Sequence, residues 1–162
     1  MVRGAFLDTS VLLGGLIDLG PSVKDAQRVM QAVAEGRVRR PATAWHCCLE
    51  FYAVATRLPE EFRLPPKDAV QLLEAEVLRR FRVLGLDPAL RPSFLSLAVQ
   101  QRVAGGRIYD AHVGAVAREG GARVIVTDNL RHFSDLAREG CRVVDSATFS
   151  AELRSGTAGP SP

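Results

Sequence analysis

Val2-Arg3-Gly4-Ala5-Phe6-Leu7-Asp8-Thr9-Ser10-Val11-Leu12-Leu13 and, far downstream, Val124-Ile125-Val126-Thr127-Asp128-Asn129 share one plan: a short apolar run that stops at polar, acidic residues. The first reads as a strand over residues 2–7. Asp8-Thr9-Ser10 breaks it, and Val11-Leu12-Leu13 opens an apolar turn or helix. Val124 to Val126 is wholly apolar, as strands are when a parallel sheet is covered on both faces. Such sheets bind ligands in the crevice at the carboxyl ends of their strands. Asp8 and Asp128 immediately follow apolar strands, so both are expected to point into that crevice.

Between and beyond these stretches the chain alternates in the same way. Pro21-Ser22 starts a helix with Val23, Ala26, Val29, Met30 and Val33 at helical spacing, ended by Gly36. Arg37 to Arg40 forms a second short strand that stops at Pro41. Thr43 caps a helix running to about Arg57. Pro65-Pro66 opens another helix that reaches Phe81, Val83 to Leu86 is strand-like, and Pro88 to Val103 is helical. Gly105-Gly106 breaks the chain ahead of Asp110 and the run Ala111 to Ala117. After Asn129 come a helix to about Glu139, a strand over Arg142 to Val144, and a last helix from Ser146 to Leu153. Strands alternating with helices predict an α/β domain of three layers, with a central parallel sheet flanked by helices. One domain over residues 1–153 is expected, followed by a Gly/Pro/Ser-rich tail over residues 154–162 expected to be disordered.

A chain of 162 residues, 47% hydrophobic and 24% charged, suits one globular domain with a core of its own. Met1 to Gly4 runs directly into the first strand without the parts of a secretory leader. No apolar stretch is long enough for a membrane span. Cys47, Cys48 and Cys141 make neither a disulfide framework nor a zinc site. A reducing, cytoplasmic setting is therefore expected. The formal charge of +3 and pI near 9.1 are too mild to imply nucleic acid alone. All but Lys24 and Lys67 of the 21 basic side chains are arginine. Guanidinium forks suit phosphate, yet codon bias produces the same composition.

Glu50 stands out among the acids, because no other Asp, Glu, Lys or Arg lies in the predicted helix over Ala42 to Ala55. A carboxylate in apolar surroundings asks for a cation or several hydrogen bonds; pairing with Arg57 at a groove edge is the plain alternative. Asp110 can be read as an ordinary N-cap, Asp8 as an Asx turn, and Asp128 as a turn residue or cap. Converging on one crevice, the four would repel: at 4 Å two like charges cost about 4 kcal/mol at an effective dielectric of 20. Such a cluster holds either protons or a hard cation. Mg²⁺ and Mn²⁺ favour carboxylate oxygen and water, and could activate water against a phosphodiester.

Phe6-Leu7-Asp8-Thr9-Ser10-Val11-Leu12-Leu13 closely resembles the opening motif of PIN domains. Leu49-Glu50-Phe51-Tyr52-Ala53-Val54-Ala55-Thr56-Arg57 resembles the second acidic motif of that family, and Arg107-Ile108-Tyr109-Asp110-Ala111 the third. Val124 to Phe133 resembles the fourth. The motifs follow in the family's order from residue 2 to about 153. The resemblance implies a Mg²⁺- or Mn²⁺-dependent ribonuclease acting on RNA, with Asp8, Glu50 and Asp110 as metal-binding acids and Asp128 as a fourth. Thr9, Ser10 and Thr127 would support them. It also implies the toxin of a VapBC-type toxin–antitoxin pair, a homodimer silenced by an antitoxin protein. One departure stands out. Many members carry the fourth acid two residues after the Thr, where this chain has Asn129, so Asp128 or Asn129 completes the site.

His46, His112 and His132 are read as structural or peripheral, and Asp18, Asp135 and Asp145 as caps or solvated turns. Two basic clusters, Arg37, Arg39, Arg40 and Arg79, Arg80, Arg82, would hold an RNA backbone if they flanked the crevice. Otherwise they are solvated surface charge. Two rival functions remain: a PIN-like RNA-binding or assembly module without catalysis, and a phosphatase with Asp8 as nucleophile. Against the phosphatase, the second Asp expected two residues on is Ser10.

Overall fold

The structure, a computed structural model, describes residues 2–138 and 141–156. The strand expected over residues 2–7 is divided at Gly4, whose φ of 76° suits a residue without Cβ. Val2–Arg3 (β1) therefore leaves Ala5–Leu7 (β2) and pairs elsewhere. After Asp8 the chain turns directly into Thr9–Leu16 (α1), followed by Lys24–Ala34 (α2). The second strand differs from expectation. Val38–Arg39 (β3) is only a side ribbon that pairs in parallel with β1. Pro41 has no N–H to give a ladder, and Arg40 turns the chain at φ 51°. The sheet strand is Ala42–Ala44 (β4). Thr43 is thus a strand residue and not a helix cap. Its buried hydroxyl donates to the Leu7 carbonyl at 2.8 Å, fastening β4 to β2.

Trp45–Ala55 (α3) begins without a side-chain cap. Pro66–Leu72 (α4) passes into a π-helical turn over Leu73–Leu78, and Arg82–Leu84 (β5) follows. Asp87 caps a tight turn ahead of Arg91–Gln100 (α5), with Pro92 in its first turn. Arg107–Glu119 (α6) starts three residues before Asp110, so Asp110 is not the cap of its helix. Val124–Val126 (β6), Ser134–Arg138 (α7), Arg142–Val144 (β7) and Ser146–Ser155 (α8) complete the order. Helix α8 outlasts the expected domain end at residue 153, and residues 157–162 of the expected tail lie outside the described residues.

The main sheet is all parallel, in the order β5-β4-β2-β6-β7. From β2 the chain moves outward to β4 and β5, then returns to β6 on the other side of β2. The order reverses between β2 and β6, which is where an open α/β sheet forms its ligand crevice. Both strands are wholly buried. Phe6, Leu7, Leu12, Phe51, Ile125 and Phe149 are fully buried in the core, each worth roughly 1.5–3 kcal/mol relative to exposure. Helix α1 packs on α2 and α3, and α2 also meets α8. Gly15 allows that closeness. A Cβ there would stand 2.9 Å from the Ala26 carbonyl oxygen and strike the Met30 side chain. Among the described residues no helix is long and apolar enough to cross a membrane.

Candidate active site

The Asp8 N–H donates to the Val126 carbonyl at 3.0 Å, carrying the β2–β6 ladder one residue past the strand. Asp8 thereby stands at the switch point, only 7% exposed. Its carboxylate is cradled by hydroxyls. Thr127 Oγ1 donates to Oδ2 at 2.9 Å and Ser10 Oγ to the same oxygen at 3.1 Å. The Cys47 thiol lies 4.0 Å from Oδ1. Burial raises the Asp8 pKa above its ordinary value, against the lowering effect of Thr127, the Thr9 N–H and Ser10, while Glu50 adds a small upward push. Burial, then the Asp8 charge, also pushes the Cys47 thiol up to about 12.

Glu50 faces the same space from α3. It is exposed and not enclosed by apolar neighbours as its sequence context suggested. Thr9 Oγ1 donates to its Oε2 at 2.6 Å, so the residue after Asp8 anchors the second acid. Asp110 faces in from α6, with His132 Nδ1 3.3 Å from its Oδ1. Asp8, Glu50, Asp110, His46, Tyr109 and His132 share the walls of a crevice of about 540 Å³ that, among the described residues, is lined by no Arg or Lys. Among the described residues no Arg or Lys ion-pairs with Asp8 or Glu50 either.

Asp128 is not brought to this crevice. Its carboxylate accepts the Ser146 N–H at 2.9 Å and the Ser146 hydroxyl at 2.7 Å. Free N–H groups at a helix start attract carboxylates, and the start of α8 takes Asp128. Only its backbone touches the cradle, through an N–H that donates to Ser10 Oγ at 3.0 Å. The Asn129 N–H donates to Thr127 Oγ1 at 3.1 Å, so Asn129 props the threonine that holds Asp8.

Of the three histidines read as structural or peripheral, His46 and His132 line the crevice. His46 stacks on Tyr109 with ring centroids 5.2 Å apart, and His112 meets His46 and Phe94 edge to face. Burial, then His46 and Arg91, lowers the His112 pKa. Tyr109 and Cys47 were also missed as site residues, although Tyr109 lies within the third acidic motif and Cys47 one turn before Glu50. The arginine clusters do not flank the crevice. Arg39, Arg40, Arg80 and Arg82 meet in a separate groove, and Arg37 pairs with Glu35 at 2.7 Å.

The walls offer the oxygen donors that a hard divalent cation prefers. The fit lies in chemistry, since Asp8 is a desolvated carboxylate with no Arg or Lys ion pair among the described residues. Among the described residues no three His, Cys, Asp or Glu side chains stand close enough to enclose an ion by themselves. Mg²⁺ commonly keeps several waters and few protein ligands, and such a site suits that habit.

A sequence profile of the PIN domain matches residues 5–131. The chain is 31% identical to ribonuclease VapC40 of Mycobacterium tuberculosis, over 75% of its own length and 84% of that protein's. It is 33% identical to ribonuclease VapC27 of the same organism, over 56% of its length and 64%, under two thirds, of VapC27. In fold it is similar to PAE2754 of Pyrobaculum aerophilum, with a TM-score of 0.60 at 20% identity over 96% of this chain and 99% of that one. Mycobacterium tuberculosis VapC20, described as a sarcin–ricin loop cleaving toxin, has a TM-score of 0.56 at 18% identity over 75% and 86%. With the motif order, the parallel sheet and this profile in agreement, the chain belongs to the PIN domain family.

Proposed function

We propose that this protein is a Mg²⁺- or Mn²⁺-dependent endoribonuclease and the toxin of a type II toxin–antitoxin pair. The observation that carries the reading is the crevice at the β2–β6 switch point, walled by Asp8, Glu50 and Asp110 and, among the described residues, by no Arg or Lys. Kinship with ribonucleases VapC27 and VapC40 supports it.

Asp8, Glu50 and Asp110 would hold the cation, which when bound supplies Lewis-acid polarisation of a phosphodiester and a more acidic water. The chain's own residues do the rest. Ser10 and Thr127 fix the Asp8 carboxylate through Oδ2. Thr9 fixes Glu50. His132, beside Asp110, can hold or pass a proton at Nδ1. The stacked pair of His46 and Tyr109 offers a ring face to an unstacked base. A single-stranded loop is accordingly the favoured substrate form.

Trp45, Leu49 and Tyr52 form an exposed stripe on α3 beside Glu50. We assign it to contacts with a second copy of the chain or with an antitoxin protein. A cytoplasmic setting fits both RNA and the reduced thiols.

A second reading, a PIN-like RNA-binding module without turnover, draws on the diversion of Asp128 to α8. Purified protein incubated with tRNA and ribosomal RNA fragments, in Mg²⁺, Mn²⁺ or chelator, separates the two. Discrete metal-dependent cuts, absent from an Asp8→Asn/Asp110→Asn double variant, are expected. No cutting despite measurable Mn²⁺ binding would favour the module without turnover.

A further inference from the structure

Because every strand of the main sheet is parallel, the acidic crevice lies at one end of the sheet and the beginnings of the strands lie at the other. Arg39 and Arg40 of one arginine cluster and Arg80 and Arg82 of the other converge at those beginnings. Arg39 and Arg40 lead through Pro41 into β4, and Arg82 opens β5 in register with Ala42. With Arg80 they line a shallow groove of about 750 Å³, floored by Gly4, Gly36 and Val38. Neighbouring strands stand about 4.8 Å apart, so the cations are crowded along one rim.

The acids near this rim are already engaged. Glu76 pairs with Arg80 at 3.0 Å, and Glu35 with Arg37 at 2.7 Å. Arg39, Arg40 and Arg82 are exposed and have no ion pair among the described residues. Like charges gathered without counter-ions repel one another, and a bound polyanion relieves that repulsion. Among the described residues no aromatic ring lines the groove, so these residues offer nothing on which to stack a base. Guanidinium forks without a stacking platform read phosphate and not sequence.

We propose that this groove is a second nucleic-acid site, one that grips the phosphate backbone of single-stranded RNA without sequence preference at the end of the sheet away from the acidic crevice. Cleavage is not required for it, so it stands or falls separately from the function proposed above.

The test is fluorescence anisotropy of the full chain with a labelled single-stranded RNA of mixed sequence, in chelator so that nothing is cut. Arg40→Asn/Arg82→Gln removes two groove charges, Asn being chosen because Arg40 sits at positive φ. Arg28→Gln/Arg154→Gln removes two exposed charges elsewhere. The groove variant should bind about tenfold more weakly, with the log–log salt slope shallower by about 1.4 for two lost phosphate contacts. The control should bind as the parent does, and matched melting curves should show both variants folded. Equal loss in both variants, or loss in neither, overturns the proposal. Tighter binding of labelled poly-glutamate than of RNA of matched charge also overturns it, in favour of an acidic protein partner.

Discussion

Burial holds the proton on Asp8 to higher pH than an exposed aspartate keeps it, while Thr127 and Ser10 hold the ionised form in place. Between the unfolded value of 3.8 and the raised folded value, the native chain binds more protons than the unfolded one. Stability therefore falls as pH climbs through that window and stays reduced above it. Asp8→Asn keeps the shape and removes the charge. In chelator at neutral pH its melting temperature should lie above the parent's. Added Mn²⁺ should raise the parent's melting temperature and leave the variant's unchanged. A variant that melts below the parent would show that the hydroxyl cradle outweighs the cost of burying the charge. Equal response to Mn²⁺ would remove Asp8 from the proposed metal site. Asp8 was legible in the sequence because a strand leads straight into it. Its cradle was only half legible: Ser10 lies two residues away, whereas Thr127 arrives from 119 residues downstream.

Helix α8 gives a cleaner instance of local reading. Asp145 was read as a cap or a solvated turn residue, and it caps, accepting the Thr148 N–H at 2.8 Å. That bond lowers the Asp145 pKa. Its contribution is complete above the unfolded value of 3.8 and is lost as pH falls through the lowered folded value. Asp145→Ala should cost about 1 kcal/mol, seen as a melting temperature lower by about 2–4 °C at neutral pH. No difference from the parent near neutrality would mean that Asp128 alone secures the helix start. The same helix explains the main failure of the sequence reading. Asp128 follows a strand as Asp8 does, but the N–H and hydroxyl of Ser146 at the start of α8 claim its carboxylate, and no pattern local to residue 128 reports a helix start eighteen residues on. Thr43 failed similarly. A hydroxyl before an apolar helix looks like a cap, and only the pairing of β4 with β2 shows that it bonds Leu7.

At the scale of the whole molecule, the stripe of Trp45, Leu49 and Tyr52 escaped notice because α3 is apolar on most sides and reads as buried. The structure leaves Trp45 and Leu49 each 52% exposed and Tyr52 37%. Spacings of four and three residues put all three on one face. Sedimentation at tens of micromolar should find a dimer, and Leu49→Asp should return it to a monomer. A parent that already sediments as a monomer would leave the stripe to an antitoxin. The sheet carries a further consequence through its length. Three strand residues span about 10 Å, close to the Debye length of about 8 Å at physiological ionic strength. In such a solution an approaching polyanion meets two objects, an attracting rim and a repelling mouth, and the protein turns to present the rim first. In dilute buffer, where the Debye length is about 30 Å, the two ends are felt from further away and the turning is stronger, and added salt weakens it.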